Sequence, residues 1–332
     1  MPDWFTKLMG FAEGSPEEVR RQIELQGNTI TSKANGETYR CGRLEIVALK
    51  ELRERVHKLE SNAGRLQVSE VVDNVQNLHI DPTNAGATFQ VASQFNLLEM
   101  VAPSVTPEHG ITGYEHDLTQ GPACAIACGA GTIYRNYFVP LDGQIGQSAD
   151  KQVDCIRSLA DALDVPGQPW EMRNGYAIPS KHSLNVIAEK LASLSDSELD
   201  HLRGKVEIGI QWDTQVTIGQ SQHDVTQVYC SAMPVAYTRL ASKLWEPLAR
   251  LILDAAYEAT LSAAELNREN TGNRRLFLTL LGGGAFGNDT VWICDAIQRA
   301  CRLFQDSDLD VRIVSFGRSK SEVVRLIRDL EL

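Results

Sequence analysis

The chain has 332 residues, 43% hydrophobic and 23% charged, an ordinary globular composition that excludes a disordered segment, a collagen or a coiled-coil array. Lys and Arg number 32 against 43 Asp and Glu, a net charge of −11; such a field repels nucleic-acid phosphates unless a basic patch is concentrated somewhere, and none is visible. No run approaches the roughly 18 to 20 apolar residues of a membrane span, and Asp3, Lys7 and Glu13 interrupt the first segment where a signal peptide needs a clean apolar core. The expectation is a soluble, unprocessed, cytoplasmic protein with no membrane and no nucleic-acid partner.

Seven scattered cysteines (Cys41, Cys124, Cys128, Cys155, Cys230, Cys294, Cys301) form no CxxC pair and suit a reducing compartment. The seven histidines are scattered too, so no metal site is expected.

In chain order, Ser15-Pro16-Glu17-Glu18 reads as a helix start closed by Gly27. Asn35-Gly36 between Thr29–Thr31 and Thr38–Arg40 reads as a tight hairpin, and Leu49–Leu59 as a helix. Residues 1–65 are taken together as an N-terminal extension, and 66–332 as the main domain. Leu66–Val72 and Ala87–Ser93 are strand-like, divided by the turn-rich Asp81–Gly86. Residues 150–204 read as a helical insertion with helices over Asp154–Leu163 and Leu184–Leu194. Val206–Trp212 alternates like a strand, and Ala241–Asn267 reads as a long helix. Leu276–Leu281, Asp289–Phe304 and Val311–Phe316 then form strand, helix, strand, which implies a parallel pair with a right-handed crossover and an α/β sandwich.

Two blocks carry chemistry. The loop Gly282-Gly283-Gly284-Ala285-Phe286-Gly287-Asn288-Asp289 stands at a strand-to-helix junction, where free backbone N–H groups and the helix dipole favour a pyrophosphate. Gly282, Gly284 and Gly287 also satisfy GxGxxG, so an NADP-linked oxidoreductase is weighed, with Arg318 placed to meet a 2′-phosphate. A turn that merely permits close packing accounts for the same glycines.

The second block follows the strand ending near Ser93. It holds Gln94, Asn96 and Glu99, then His116, Asp117, Gln120, Gly121, Pro122, Ala123 and Cys124 at another helix start. Cleavage at an anomeric carbon passes through an oxocarbenium-like state and requires a carboxylate together with amides that orient the sugar. Glu99 and Asp117 are the candidate acids, with Asn96 and Gln120 as orienting amides; a helix start or a turn cap explains each acid equally. Cys124 with His116 is a conceivable nucleophile pair, against which small-residue packing competes. Tyr134–Tyr137, Trp212-Asp213 and Tyr229–Ser231 are candidates for the cleft wall.

Gly284-Ala285-Phe286-Gly287-Asn288-Asp289 resembles the phosphate loop of the poly(ADP-ribose) glycohydrolase-like branch of the macrodomain superfamily. Val91–Asn96 is similar to that branch's strand ending in Ala-Asn. The chain departs from it in lacking a triple glycine after Asn96 and paired glutamates after Gln120. Asn96–Glu99, Thr119–Cys124 and Tyr134–Tyr137 look more like atypical macrodomains that are arginine-specific ADP-ribosylhydrolases.

The resemblance implies a macrodomain-like three-layer α/β/α sandwich with a mixed sheet, and a cofactor-free ADP-ribosylhydrolase acting on an ADP-ribosylated protein. Its ligand residues would be Gln94, Asn96, Gly121, Pro122, Ala123, Cys124, Gly283, Gly284, Ala285, Phe286, Gly287 and Asn288, and its catalytic residues Glu99, Asp117 and Gln120. A non-catalytic ADP-ribose reader needs the same loops and no acid. Oligomeric state is left open.

Overall fold

The computed structural model of the protein describes residues 2–59 and 64–330. Asp3 accepts from the N–H of Thr6 and starts α1 (Trp4–Met9), and a Ser15–Glu18 capping box starts α2 (Pro16–Gln22). The second helix stops short of the expected Gly27. Ile23 turns extended, and Ile23–Gln26 becomes β1 because its alternating face pairs with β2 (Thr29–Ser32). The Asn35-Gly36 hairpin joins β2 to β3 (Thr38–Arg40) as expected.

The central sheet has seven strands. They are β4 (Arg43–Ala48), β5 (Gln67–Val72), β6 (Thr88–Ala92), β11 (Glu207–Gln215), β12 (Asp224–Cys230), β13 (Arg275–Leu278) and β14 (Asp310–Ser315), in the order β4-β11-β12-β6-β13-β14-β5. Strands β12 through β5 run parallel to one another and β11 runs against its neighbours, so the sheet is mixed. The strand β4 and the helix α3 (Leu49–Val56), both from the first 65 residues, are thus an edge of this sheet and part of its cover. Residues 60–63 lie outside the described residues.

Helices cover both faces. On one lie α4 (Val75–Ile80), α5 (Gln120–Ala127) and α6 (Gly129–Tyr137). On the other, the 30-residue α10 (Ser242–Thr271) runs beneath β6, β11, β12 and β13 and packs on α3, α8 (Lys181–Ser193), α9 (Asp196–Arg203) and α11 (Thr290–Leu303). The expected three-layer α/β/α arrangement is what the chain forms. The region 150–204 contributes α7 (Arg157–Leu163), α8 and α9, and also a hairpin that periodicity did not predict, β9 (Glu171–Arg173) with β10 (Tyr176–Ile178). A small hairpin, β7 (Pro140–Leu141) with β8 (Gln144–Ile145), precedes it, and α12 (Ser321–Leu330) closes the chain against β5 and α11.

Two features place the site. The connection leaving β6 runs to the α5 face while that leaving β13 runs to the α11 face, so the chain parts between two adjacent parallel strands, whose carboxyl ends are the ligand position of open α/β sheets. A second hydrophobic core packs the N-terminal Phe5, Met9, Val19 and Ile30 against Leu98, Met100, Ile111, Tyr114 and Ile133. The N-terminal segment therefore supports the loops that leave β6.

Candidate active site

The loop after β13 folds around two left-handed glycines, Gly282 (φ +73°) and Gly287 (φ +70°). A Cβ on Gly287 would lie 2.8 Å from that of Ala236, and one on Gly282 would lie 2.5 Å from that of Ala232. The loop is tied down from outside: Asn288 Nδ2 donates to Met233 O at 2.8 Å, and the N–H of Ala236 to Phe286 O at 2.9 Å. Within it, the N–H groups of Gly283, Gly287 and Asn288 bond to Leu280, Gly284 and Gly282 carbonyls. Those of Gly284, Ala285 and Phe286 have no partner among the described residues, and Gly283, Gly284 and Ala285 are exposed. Asp289 caps α11 immediately beyond by accepting from the N–H of Val291. Three free N–H groups thus stand before a 14-residue helix, an arrangement that favours an anion. Phe286 closes one side, its ring 5.3 Å from that of Tyr176 and 5.5 Å from that of Tyr237.

The loop after β6 is internally saturated. Gln94 accepts from the N–H of Met100 at 2.7 Å and donates to its carbonyl at 3.1 Å, as a neighbouring strand would. Asn96 is fully buried beneath Gly175, accepts from the N–H of Leu98 and donates to Gln152. Leu97 is held left-handed (φ 64°), a strained conformation for a leucine. Its carbonyl accepts from Arg135 Nε at 3.0 Å, and its side chain fills the space a Cβ on Gly209 would need. Gln94 and Asn96, expected to meet the ligand, therefore spend their amides on the loop and its neighbours instead.

Glu99 lies deeper. Its Oε1 is 3.6 Å from Arg135 Nη2, beyond hydrogen-bond reach, and both side chains are almost wholly buried. Neither carboxyl oxygen nor Arg135 Nη1 has a hydrogen-bond partner among the described residues, while the guanidinium lies 3.7 Å from the Tyr229 ring centre. Burial pushes the Glu99 carboxyl up to about 8, against the opposing pull of Arg135 and then Tyr114, which favours the protonated acid near neutral pH. Asp117 differs in kind: it is half-buried and accepts from the N–H of Thr119.

Gln120 completes β6. Past Phe89 the ladder to β13 stops, and the Gln120 amide takes over, donating to Gln90 O at 2.8 Å and accepting from the N–H of Ala92 at 3.0 Å. A Cβ on Gly121 would meet Ala92 O at 1.9 Å, so glycine lets α5 abut the strand end. Pro122 and Cys124 are buried and Ala123 half-buried in the same contact. Cys124 and Cys128 are buried thiols pushed well above their ordinary range by desolvation, and His116 is exposed, which disposes of the Cys–His nucleophile. Trp212 is removed from the cleft wall as well, because β11 runs antiparallel and ends at the opposite edge, where Trp212 pairs with Arg43. Asn136 and Tyr137 point into packing, toward Pro107 O and Glu13.

Sequence reasoning missed four contributors. Tyr176 and Tyr237 reach the glycine loop from a hairpin and a short helical turn that no periodicity marks. Phe316, 73% exposed, directly follows β14 at the same end of the sheet as that loop. Glu13 accepts from the N–H groups of Ile111 and Thr112 and from the Tyr137 hydroxyl, fixing the segment that leads to Asp117. In the sequence Glu13 reads only as a charge that interrupts the first segment.

No protein-family model and no curated protein matches the chain. Among solved structures it is similar to a point mutant of poly(ADP-ribose) glycohydrolase from Deinococcus radiodurans in complex with ADP-ribose, at 10% identity and a TM-score of 0.48, covering 87% of this chain and 94% of that one. It is similar also to the Thermomonospora curvata poly(ADP-ribose) glycohydrolase bound to the inhibitor ADP-HPD, at 13% identity and a TM-score of 0.41, covering 94% and 95%. These are distant likenesses. Among the described residues no group of three metal-ligating side chains gathers, and no helix is long and apolar enough to cross a membrane.

Proposed function

We propose that the chain binds ADP-ribose across the carboxyl ends of β6 and β13 and hydrolyses the glycosidic bond joining it to a protein side chain, arginine being the first candidate. The observation that carries this reading is the Gly282–Asn288 loop, whose free N–H groups at Gly284, Ala285 and Phe286 match the diphosphate. In this reading the distal ribose lies against Phe286 and Tyr176, and the adenosine extends the other way, toward Phe316. Asp117, which is charged and half-buried where Glu99 is enclosed, is the carboxylate we assign to stabilise an oxocarbenium-like state or to activate water. Glu99 stays enclosed beside Arg135.

A reader without turnover is the second reading, favoured by the internal saturation of Gln94, Asn96 and Gln120. The test measures release of ADP-ribose from an arginine-modified protein and, side by side, from poly(ADP-ribose), the polymer named for the distant neighbours. The proposal expects release from at least one substrate, and a fall of roughly 10²-fold or more in Asp117→Asn with ligand binding retained. Binding without release from either substrate establishes the reader; a fall of less than about tenfold removes Asp117 from the chemistry.

A further inference from the structure

The loop joining β14 to α12, Phe316-Gly317-Arg318-Ser319-Lys320, is exposed yet rigidly tied. Glu70 on the neighbouring strand β5 accepts from Ser315 Oγ at 2.6 Å, from Ser319 Oγ at 2.5 Å and from the N–H of Lys320 at 2.9 Å. Gly317 turns the tip through a left-handed conformation (φ +76°), and the N–H of Arg318 closes it on Phe316 O at 2.9 Å. An exposed aromatic residue and an exposed arginine are therefore displayed on a fixed turn.

The place of that turn matters. Strands β13 and β14 are in parallel register, Leu278 opposite Ile313, so the two loops leave adjacent strands at the same level of the sheet, about 5 Å apart at their roots. Arg318 takes part in no ion pair and no side-chain hydrogen bond among the described residues. The acids beside the turn are already engaged: Glu70 by the turn itself, and Glu322, the nearest acid in sequence, by the Ser321 hydroxyl. In a chain of net charge −11, a cation left uncompensated on a tied loop beside the diphosphate loop is a recognition element for a further anion.

We infer that Arg318 forms a phosphate subsite on the adenosine side of the site, so that the chain prefers ADP-ribose carrying an additional phosphoryl group there. This rests on the ADP-ribose reading of the same site. Two sources share the chemistry: a phosphomonoester on the adenosine ribose, and the diphosphate of a next unit linked through that ribose. A guanidinium forks onto either one.

The test titrates ADP-ribose, ADP-ribose 2′-phosphate and the ADP-ribose dimer into the wild-type chain and Arg318→Gln by calorimetry at low salt. The expected result is about three- to tenfold tighter binding of at least one of the two extended ligands than of ADP-ribose, lost in Arg318→Gln and reduced as salt is raised, while ADP-ribose itself binds both proteins alike. Which extended ligand gains identifies the source. Equal affinity for all three ligands, or a preference that survives Arg318→Gln, overturns the subsite and leaves the ADP-ribose reading standing. No binding of any of the three overturns both.

Discussion

Replacing Glu99 by glutamine tests the electrostatics beneath the site in a way that packing alone does not mimic. In the folded chain the carboxyl is pushed up to about 8 by burial, whereas in the unfolded chain it titrates near 4.5. Between these values the folded state holds a proton that the unfolded state releases, so stability falls as pH rises through the window and levels off above about 8. One group contributes a slope of about 1.4 kcal/mol per pH unit, or on the order of 3 kcal/mol between pH 5.5 and 7.5. Glutamine has no proton to lose. Urea unfolding of wild type and Glu99→Gln across pH 5 to 8.5 is therefore expected to give stabilities that diverge with rising pH, the variant gaining on the wild type, with parallel baselines above pH 8. Two curves separated by a constant amount across the whole range would show that Glu99 is ionised in the fold, paired with Arg135, and would refute the reasoning.

Arg135→Met leaves Leu97 O without its donor and is expected to cost about 3 kcal/mol or more in urea unfolding above pH 8, where the Glu99 charge also loses its counter-ion; adding Glu99→Gln recovers part of that loss. Glu13→Gln removes a carboxylate that accepts from two backbone N–H groups and a phenol. It should lower stability by about 1 to 3 kcal/mol and speed amide exchange at Ile111 and Thr112 ahead of the sheet. Gly287→Ala forces a side chain into a left-handed turn and against Ala236; a stability cost of about 1 to 2 kcal/mol, with weaker ADP-ribose binding in calorimetry, is the expected outcome.

The glycine loop was legible in the sequence because its chemistry is local: a strand, glycines where φ must be positive, and an aspartate cap are contiguous. The parallel β13–β14 pair and its crossover followed from the same contiguity. Strand β12 was not anticipated, because it is buried on both faces and carries Thr226 and Gln227 inside, satisfied by Asn267 and by Cys124 O, so it shows neither alternation nor an apolar run. The roles of Gln94, Asn96 and Gln120 were equally hidden. An amide that replaces a missing strand and an amide that orients a sugar have the same sequence signature, and only the position of the partner backbone distinguishes them. Glu99 reads from sequence as any acid at a strand end; its enclosure with Arg135, Tyr114 and Tyr229 brings together side chains from four separate segments.

In the proposed complex the free N–H groups of the Gly282–Asn288 loop receive the diphosphate of ADP-ribose. Amide-resolved nuclear magnetic resonance of the full chain titrated with ADP-ribose reads those groups individually. The largest shifts are expected at Gly284, Ala285 and Phe286, saturating together with changes in the Tyr176 and Tyr237 rings. Shifts confined to other parts of the chain, or a spectrum unchanged at millimolar ligand, would contradict this placement.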